Sequence, residues 1–204
     1  MAIIGLSIPV IADYKAEGNT VTYTDPVVAS KAVEYSISIT ASENNALWGD
    51  NGIAENDKGT FQSGELSLST TDLEQTISQR ILGTKIIKKT YGDGKTADVQ
   101  VFDDEQTAPY LGYGIIEMHR INGVDRFKAI WLNKVFFNIP ENAATTKGET
   151  IDWQVPEITG TINRSDAITK VGEDTIVHPW EEDAWFDSEI EALEFLMFCG
   201  GKTE

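Results

Sequence analysis

A two-residue turn between two β-prone arms constrains the fold of this chain most. Asn122-Gly123 tolerates positive φ angles and separates the arms Gly112–Ile121 and Arg126–Ile139, which predicts a tight β-hairpin. The stretch Phe127–Phe137 in the second arm is almost continuously apolar. A strand that is apolar on both faces must be covered on both, by core or by a partner. The sequence therefore predicts a central hairpin in a mainly β fold.

Other segments repeat the signals of strands. The clearest is Lys31–Thr40, where Val33, Tyr35, Ile37 and Ile39 alternate with more polar residues, the period of a half-buried strand. Further strand regions are predicted at Gly5–Tyr14, Val21–Val28, Phe61–Ser69, Ile86–Val101 around the turn Gly92-Asp93-Gly94, and Thr150–Asn163 broken at Pro156.

Two helices are predicted. Thr71-Asp72-Leu73-Glu74 has the spacing of a capping box, an apolar stripe follows, and Gly83 ends the segment. Ser188-Glu189-Ile190-Glu191 has the same spacing, and Gly200-Gly201 ends that segment. The simplest architecture is a β-sandwich or barrel with one flanking helix and one C-terminal helix. We divide the chain into residues 1–163 and a C-terminal extension, 164–204, which is either part of the same domain or appended to it.

Residues 41–60 lack both periodicities and are rich in Asn, Asp, Glu and Gly. We expect a long loop here, and loops of this length in a compact domain are usually functional or disordered. Its apolar residues are Leu47, Trp48 and Ile53. An exposed tryptophan would indicate a partner surface, whereas a Trp48 that folds back would only pack on its own domain.

Charge restricts the class of partner. The 204 residues hold 33 Asp and Glu against 16 Lys and Arg, a formal net charge of −17. Such a surface repels nucleic acid and anionic membranes. The single cysteine, Cys199, allows no disulfide within the chain. The first ten residues lack a basic segment, so we expect no signal peptide, and no apolar run is long enough for a membrane span.

Few residues suggest catalysis or metal binding. His119 and His178 have no local carboxylate signal, so we expect structural or surface roles and no catalytic, cofactor or metal site. The carboxylate runs, Asp103-Asp104-Glu105 and Glu181-Glu182-Asp183 among them, are typical of solvated faces. Calcium at Asp50-Asn51-Gly52 or Asp93-Gly94 is an alternative without the EF-hand spacing. The five tryptophans favour core or interface packing over sugar stacking.

Several segments, taken in order, resemble the major tail proteins of long, flexible-tailed phages. The resemblance covers about Gly5 to Ile162 and, more loosely, Phe186-Asp187-Ser188, and it is weakest over Arg164–Trp185. The segments that carry it are Gly5–Tyr14, Lys31–Ile39, Leu47–Glu55, Phe61–Leu68, Tyr113-Gly114, Asn122-Gly123-Val124, Lys128–Val135 and Thr146–Gln154.

The resemblance implies a structural protein with a tail-tube fold, not an enzyme, and no cofactor. Six subunits would form a ring, and rings would stack head to tail into a tube in the virion tail, assembled in the host cytoplasm. Phage DNA would pass through the lumen without specific binding. Further partners by resemblance are the tape measure, tail terminator and distal tail proteins. Residues 41–60 would reach the neighbouring ring through Leu47, Trp48, Asp50, Asn51 and Ile53.

Two alternatives remain open at this level. One is an inner-tube subunit of a contractile injection or secretion system, which would share the tube fold. The other is a monomeric, adhesin-like β module that binds carbohydrate through exposed tryptophans, or calcium. A monomer in solution would favour the second alternative.

Overall fold

A computed structural model of the chain describes residues 2–50, 52–71, 73–141, 146, 155–171 and 175–203. These residues are mostly β-strand, with two short helices, so the predicted mainly β class with a flanking and a C-terminal helix is confirmed. The elements are β1 (Ala2–Glu17), β2 (Thr20–Val28), β3 (Ala32–Ala41), β4 (Asn45–Gly49), β5 (Gly52–Asp57), β6 (Phe61–Thr70), α1 (Gln75–Leu82), β7 (Lys85–Tyr91), β8 (Lys95–Val101), β9 (Leu111–Ile121), β10 (Val124–Phe137), β11 (Glu157–Asn163), β12 (Thr169–Val171), β13 (Thr175–Val177), β14 (Glu181–Phe186) and α2 (Glu189–Cys199).

Eight strands form one antiparallel sheet in the order β2-β1-β9-β10-β11-β6-β3, and β14 also pairs with β10. Strand β10 has two neighbours on one side: β14 pairs with its first part, Phe127–Leu132, and β11 with its last part, Lys134–Phe137. The remaining strands form the hairpins β4–β5, β7–β8 and β12–β13. The C-terminal residues therefore contribute a strand to the main sheet.

The main core lies between two parts of this sheet. It unites Ile11 of β1 and Leu132 of β10 with Leu66 of β6 and Ile158 of β11. Strand β3, at one end of the strand order, also contacts β1, near the other end. The sheet therefore curves over its own interior, and α1 closes part of the core with Ile81 and the other apolar residues of its stripe.

Strand β10 is buried on both faces, as its apolar sequence predicts. Ile130 and Leu132 point into the main core, whereas Ala129 and Trp131 belong to a second cluster under the C-terminal helix. That second cluster includes Leu196 of α2, which is fully buried. The chain thus covers the second face of β10 itself, and this face needs no partner subunit.

Two glycines of β9 make room for the Trp131 indole. A Cβ at Gly112 would lie 2.3 Å from Trp131 Cζ2, and one at Gly114 would lie 2.9 Å from both Trp131 Cε3 and Leu196 Cδ2. Real Cβ atoms do not approach other atoms so closely, so side chains at these positions would displace the indole or the helix. Strand β9 therefore needs glycine at the points where α2 and Trp131 pack.

The two predicted helix starts have different outcomes. At α2, Ser188 Oγ accepts a hydrogen bond from Glu191 N at 3.3 Å, so the predicted N-cap is confirmed. At α1, the predicted capping box is wrong: the helix begins at Gln75, and its cap residue Glu74 makes no side-chain cap bond. Thr71 N instead donates to Lys31 O, which keeps that residue tied to the sheet. The predicted helix end at Gly83, with φ 69°, is confirmed.

The expected long loop at residues 41–60 is wrong, because most of the segment is the antiparallel hairpin β4–β5. It extends β3 and β6, and Ser42 N donates to Thr60 O at 2.8 Å to join the two pairs of strands. Asp50, with φ 47°, begins the turn between Gly49 and Gly52. Backbone pairing holds this hairpin without burial of its side chains, so the periodicity that marks half-buried strands is absent.

Both other predicted turns are confirmed. Asn122 and Gly123 have φ angles of 51° and 83° between β9 and β10, as a tight hairpin turn requires. Gly92-Asp93-Gly94 lies between β7 and β8, which pair without a register shift. The predicted strand over Thr150–Asn163 is confirmed from Glu157 onward, and its part up to residue 154 lies outside the described residues.

Candidate functional site

Most of the hairpin β4–β5 is exposed, with Ala46 half-buried. Trp48 lies opposite Ile53, and Leu47 lies opposite Glu55. Leu47, Trp48 and Ile53 are 65%, 67% and 56% exposed, so Trp48 does not fold back onto the domain. Three of the predicted contact residues therefore form an apolar group in solvent, next to the turn that begins at Asp50. The fifth predicted residue, Asn51, lies outside the described residues.

Short hydrogen bonds fix the base of this hairpin. Thr60 N donates to Ser42 Oγ at 3.0 Å, and Gly59 N donates to Asn44 Oδ1 at 2.8 Å. Gly59 has no room for a side chain, because a Cβ there would lie 2.1 Å from Ser42 O. The hairpin is thus joined firmly to β3 and β6 at one end, while its apolar residues lie at the other.

A second exposed hairpin, β7–β8, was predicted only as two strands around a turn, with Asp93-Gly94 as an alternative calcium site, and not as a contact surface. Every residue from Ile87 to Thr96 is exposed. The segment 85–101 holds four lysines against two aspartates, in a chain with an overall charge of −17. By contrast, residues 45–57 of the first hairpin hold three acidic residues and no basic one. Charge counted per hairpin, instead of over the whole chain, would have revealed this contrast.

The two hairpins start from opposite ends of the main sheet. Strands β3 and β6 continue into β4–β5 at Ala41 and Phe61. Strand β6 pairs with β11, and β11 pairs with β10. These registers place the Asn122-Gly123 turn at the same end of the sheet. The hairpin β7–β8 follows α1 and precedes Leu111, which starts β9 at the other end.

A buried polar cluster was also missed. The Tyr35 hydroxyl donates to Glu117 Oε1, and His119 Nε2 lies 2.8 Å from Glu117 Oε2. Glu117 and His119 are 7% and 6% exposed, and the His119 ring packs against Trp185 with centroids 4.8 Å apart. The i, i+2 spacing of Glu117 and His119 on a strand was the available signal, since such residues share a face.

This cluster links β3 to β9 and has the features of a structural network. Burial raises the pKa of the Tyr35 hydroxyl, which therefore remains a donor to the Glu117 carboxylate. Within the described residues, no serine, threonine or cysteine side chain is hydrogen-bonded to these three groups. His178, the other histidine, has its Nδ1 3.1 Å from the Ser165 carbonyl oxygen.

The remaining candidates are scattered. No group of three or more His, Cys, Asp or Glu side chains in the described part of the chain could hold a metal ion. Burial raises the pKa of the Cys199 thiol to about 12, so the thiol is protonated at neutral pH. Trp131 is buried, Trp180 stacks on Phe61, and Trp153 lies outside the described residues.

Several strands of the main sheet have an edge without a strand partner among the described residues. Strands β2 and β3 are its outer strands, and β2 pairs with β1 only from Val10 onward. Ile3 and Ile4 on the first part of β1 are 57% and 44% exposed, and Val33 on β3 is 49% exposed. Exposed apolar edges of this kind are templates for pairing with another chain.

Two further findings concern the chain as a whole. Of the helices in the described residues, none is long and apolar enough to cross a membrane. In comparisons with known proteins, no family model and no curated protein matches this chain.

Proposed function

We propose that this protein is a structural subunit that assembles with copies of itself into six-membered rings and stacks those rings into a tube, as in the tail of a long-tailed phage. The observation that carries the proposal is the hairpin β4–β5, which holds Leu47, Trp48 and Ile53 in solvent. The subunit would perform no catalysis, and its partners would be its own copies and, by resemblance, the other tail proteins.

An exposed two-stranded hairpin requires a reason to persist. Such a ribbon alone is marginally stable in water. Here residues 52–58 are all exposed, and the half-buried Gly59 follows them. Burying a large apolar side chain stabilises a contact by about 1.5–3 kcal/mol. A neighbouring subunit that covers Trp48 and Ile53 would supply this stabilisation.

The open sheet edges support lateral assembly. An extended strand such as β3, which among the described strands pairs only with β6, offers backbone donors and acceptors to a neighbour. Closing six subunits into a ring would pair such edges and leave none exposed. Stacking through β4–β5 is a different, heterologous contact, which does not close and so generates a filament.

The net charge of −17 suits a channel for DNA. Acidic side chains at the wall repel phosphates instead of displacing their counterions, so the polymer does not adhere. At physiological salt this repulsion acts over about 8 Å. It therefore keeps DNA off the wall without opposing its passage along the axis.

The test is negative-stain microscopy of the purified full chain at rising concentration, with light scattering on the same samples. We expect rings with six subunits or hollow tubes. A monomer at every concentration would overturn the proposal and favour the monomeric binding module.

A variant tests the role of the hairpin. Trp48→Ala should leave the subunit folded but impair stacking, because it removes the largest apolar contact of β4–β5. Trp48→Phe is the matched control, since it keeps an apolar ring and should still form tubes. Normal tubes from Trp48→Ala would contradict the role given to this hairpin.

A further inference from the structure

We propose that the acidic hairpin β4–β5 of one subunit docks against the basic hairpin β7–β8 of a second copy in the next ring. This inference rests on the proposed function and specifies its stacking contact. Both hairpins are exposed two-stranded ribbons with apolar side chains in solvent, and their charges are opposite.

The basic hairpin offers a mixed apolar and cationic face. Because β7 and β8 pair without a register shift, Ile87, Lys89 and Tyr91 lie on one face. Their partners across the ladder are Val99, Ala97 and Lys95. None of these six is acidic, and Ile87 and Tyr91 are 43% and 57% exposed.

The acidic hairpin offers the complementary set. Glu55 and Asp57 are exposed on β5, beside the apolar pair of Trp48 and Ile53. Opposite charges around an apolar centre give an interface its orientation, while the apolar centre supplies most of the affinity. The two hairpins match in both respects.

The lysines of β7–β8 are available for such a contact. Lys85 binds Asp103 at 2.7 Å. Among the described residues, Lys88, Lys89 and Lys95 take part in no ion pair, and neither do Glu55 and Asp57. A second copy would therefore compete with no existing partner.

The position of each hairpin fits head-to-tail contact. The acidic hairpin extends from the end of the sheet that carries the Asn122-Gly123 turn, and the basic hairpin is attached at the end where β9 begins at Leu111. Complementary surfaces at opposite ends of a subunit make a heterologous contact that repeats without closing. Stacked rings require a contact of that kind.

The experiment reverses the charge of each hairpin separately. One variant carries Glu55→Lys with Asp57→Lys, and the other carries Lys89→Glu with Lys95→Glu. All four positions are exposed, so circular dichroism and thermal melting should match the unchanged chain. Each variant alone should form rings, but its critical concentration for tubes should rise about tenfold or more, because like charges then meet.

Mixing the two kinds of preformed rings is the decisive step. Rings with two basic hairpins should alternate with rings with two acidic hairpins, and tubes should return. Raising the salt to about 1 M, where the screening length is about 3 Å, should bring the critical concentration for tubes of each variant closer to that of the unchanged chain. A control with Lys31→Glu and Lys170→Glu, both exposed and outside β4–β5 and β7–β8, should form tubes normally.

The outcomes separate this inference from the proposed function. If the unchanged chain forms tubes and mixing does not rescue the variants, the two hairpins do not meet each other and the inference is wrong. It is also wrong if the single variants form tubes normally or lose their rings. If the unchanged chain forms neither rings nor tubes, the proposed function itself fails.

Discussion

The hairpins β9–β10 and β4–β5 have the same topology, and each is closed by a short turn with a positive φ angle, but they differ in what covers them. Trp131 of β10 is 1% exposed, enclosed by the sheet and α2, whereas Trp48 of β4 is 67% exposed. A hairpin can therefore be shaped by backbone pairing and by its continuation from neighbouring strands, without burial of its side chains. Burial of the side chains decides how much that hairpin contributes to the stability of the fold.

The largest effect is expected at the covered tryptophan. Trp131→Ala should lower the free energy of unfolding by about 3–5 kcal/mol, because it leaves a cavity between the sheet and α2. Urea unfolding measures this loss. A loss of unfolding free energy below about 1 kcal/mol would mean that α2 moves to fill the space left by the indole, so that the cluster around Trp131 is not rigid.

The next effect concerns the glycines under that indole. Gly114→Ala should cost about 1–3 kcal/mol, since its Cβ would lie 2.9 Å from Trp131 and from Leu196. Gly5→Ala on β1 is the matched control in the same sheet. Its Cβ would meet the flexible end of Met118 at 3.4 Å, so thermal melting should change little. Equal losses in both variants would refute the packing argument.

A smaller effect is expected at the start of α2. Ser188→Ala removes the hydroxyl that accepts from Glu191 N and should cost about 1 kcal/mol. Ser188→Asp keeps a cap acceptor and should retain the stability. Thermal melting of the two variants distinguishes loss of the cap from a general intolerance at this position.

A pH-dependent effect on stability is expected at Glu181, the first residue of β14. Burial raises the pKa of this carboxyl, so the native state holds its proton more tightly than the unfolded state. Its contribution to stability is therefore full below the unfolded-state pKa and falls as the pH rises through the folded one. Glu181→Gln removes this dependence. Urea unfolding from pH 4 to 7 should therefore show the free energy of unfolding of the variant rising relative to that of the unchanged chain. A difference in the free energy of unfolding that stays constant with pH would contradict the raised pKa of Glu181.

The smallest effect on stability is expected at the exposed tryptophan. Trp48→Ala should change the free energy of unfolding by no more than about 0.5 kcal/mol, as for other surface positions. Urea unfolding of this variant beside Trp131→Ala compares the two hairpins directly. A loss above about 1 kcal/mol would show that Trp48 packs against its own chain in solution.

Much of the fold could be predicted because its signals are local. The turn at Asn122-Gly123 and the cap at Ser188 depend on a few consecutive residues, and both are confirmed. The double burial of β10 also follows from its sequence. The identity of its cover does not, because α2 lies more than fifty residues further along the chain.

The errors have physical causes as well. Residues 41–60 lack periodicity because neither face of β4–β5 is buried, so a test that looks for burial cannot find these strands. Thr71 has the sequence of a cap, but its backbone is hydrogen-bonded to Lys31 in the sheet. The cluster around Glu117 depends on the sheet bringing Tyr35 of β3 across to β9, a contact between residues 82 positions apart.

The position of α2 after β1–β14 in the sequence also determines when the fold can form. Strand β1 must wait for β9, and the face around Trp131 stays open until Leu196 has been synthesised. The described fold is therefore completed only after translation has passed α2. Contacts between such distant residues slow folding to the millisecond-to-second range typical of β-rich domains. A ribosome-bound fragment that ends before α2 would thus expose the apolar sheet face around Trp131.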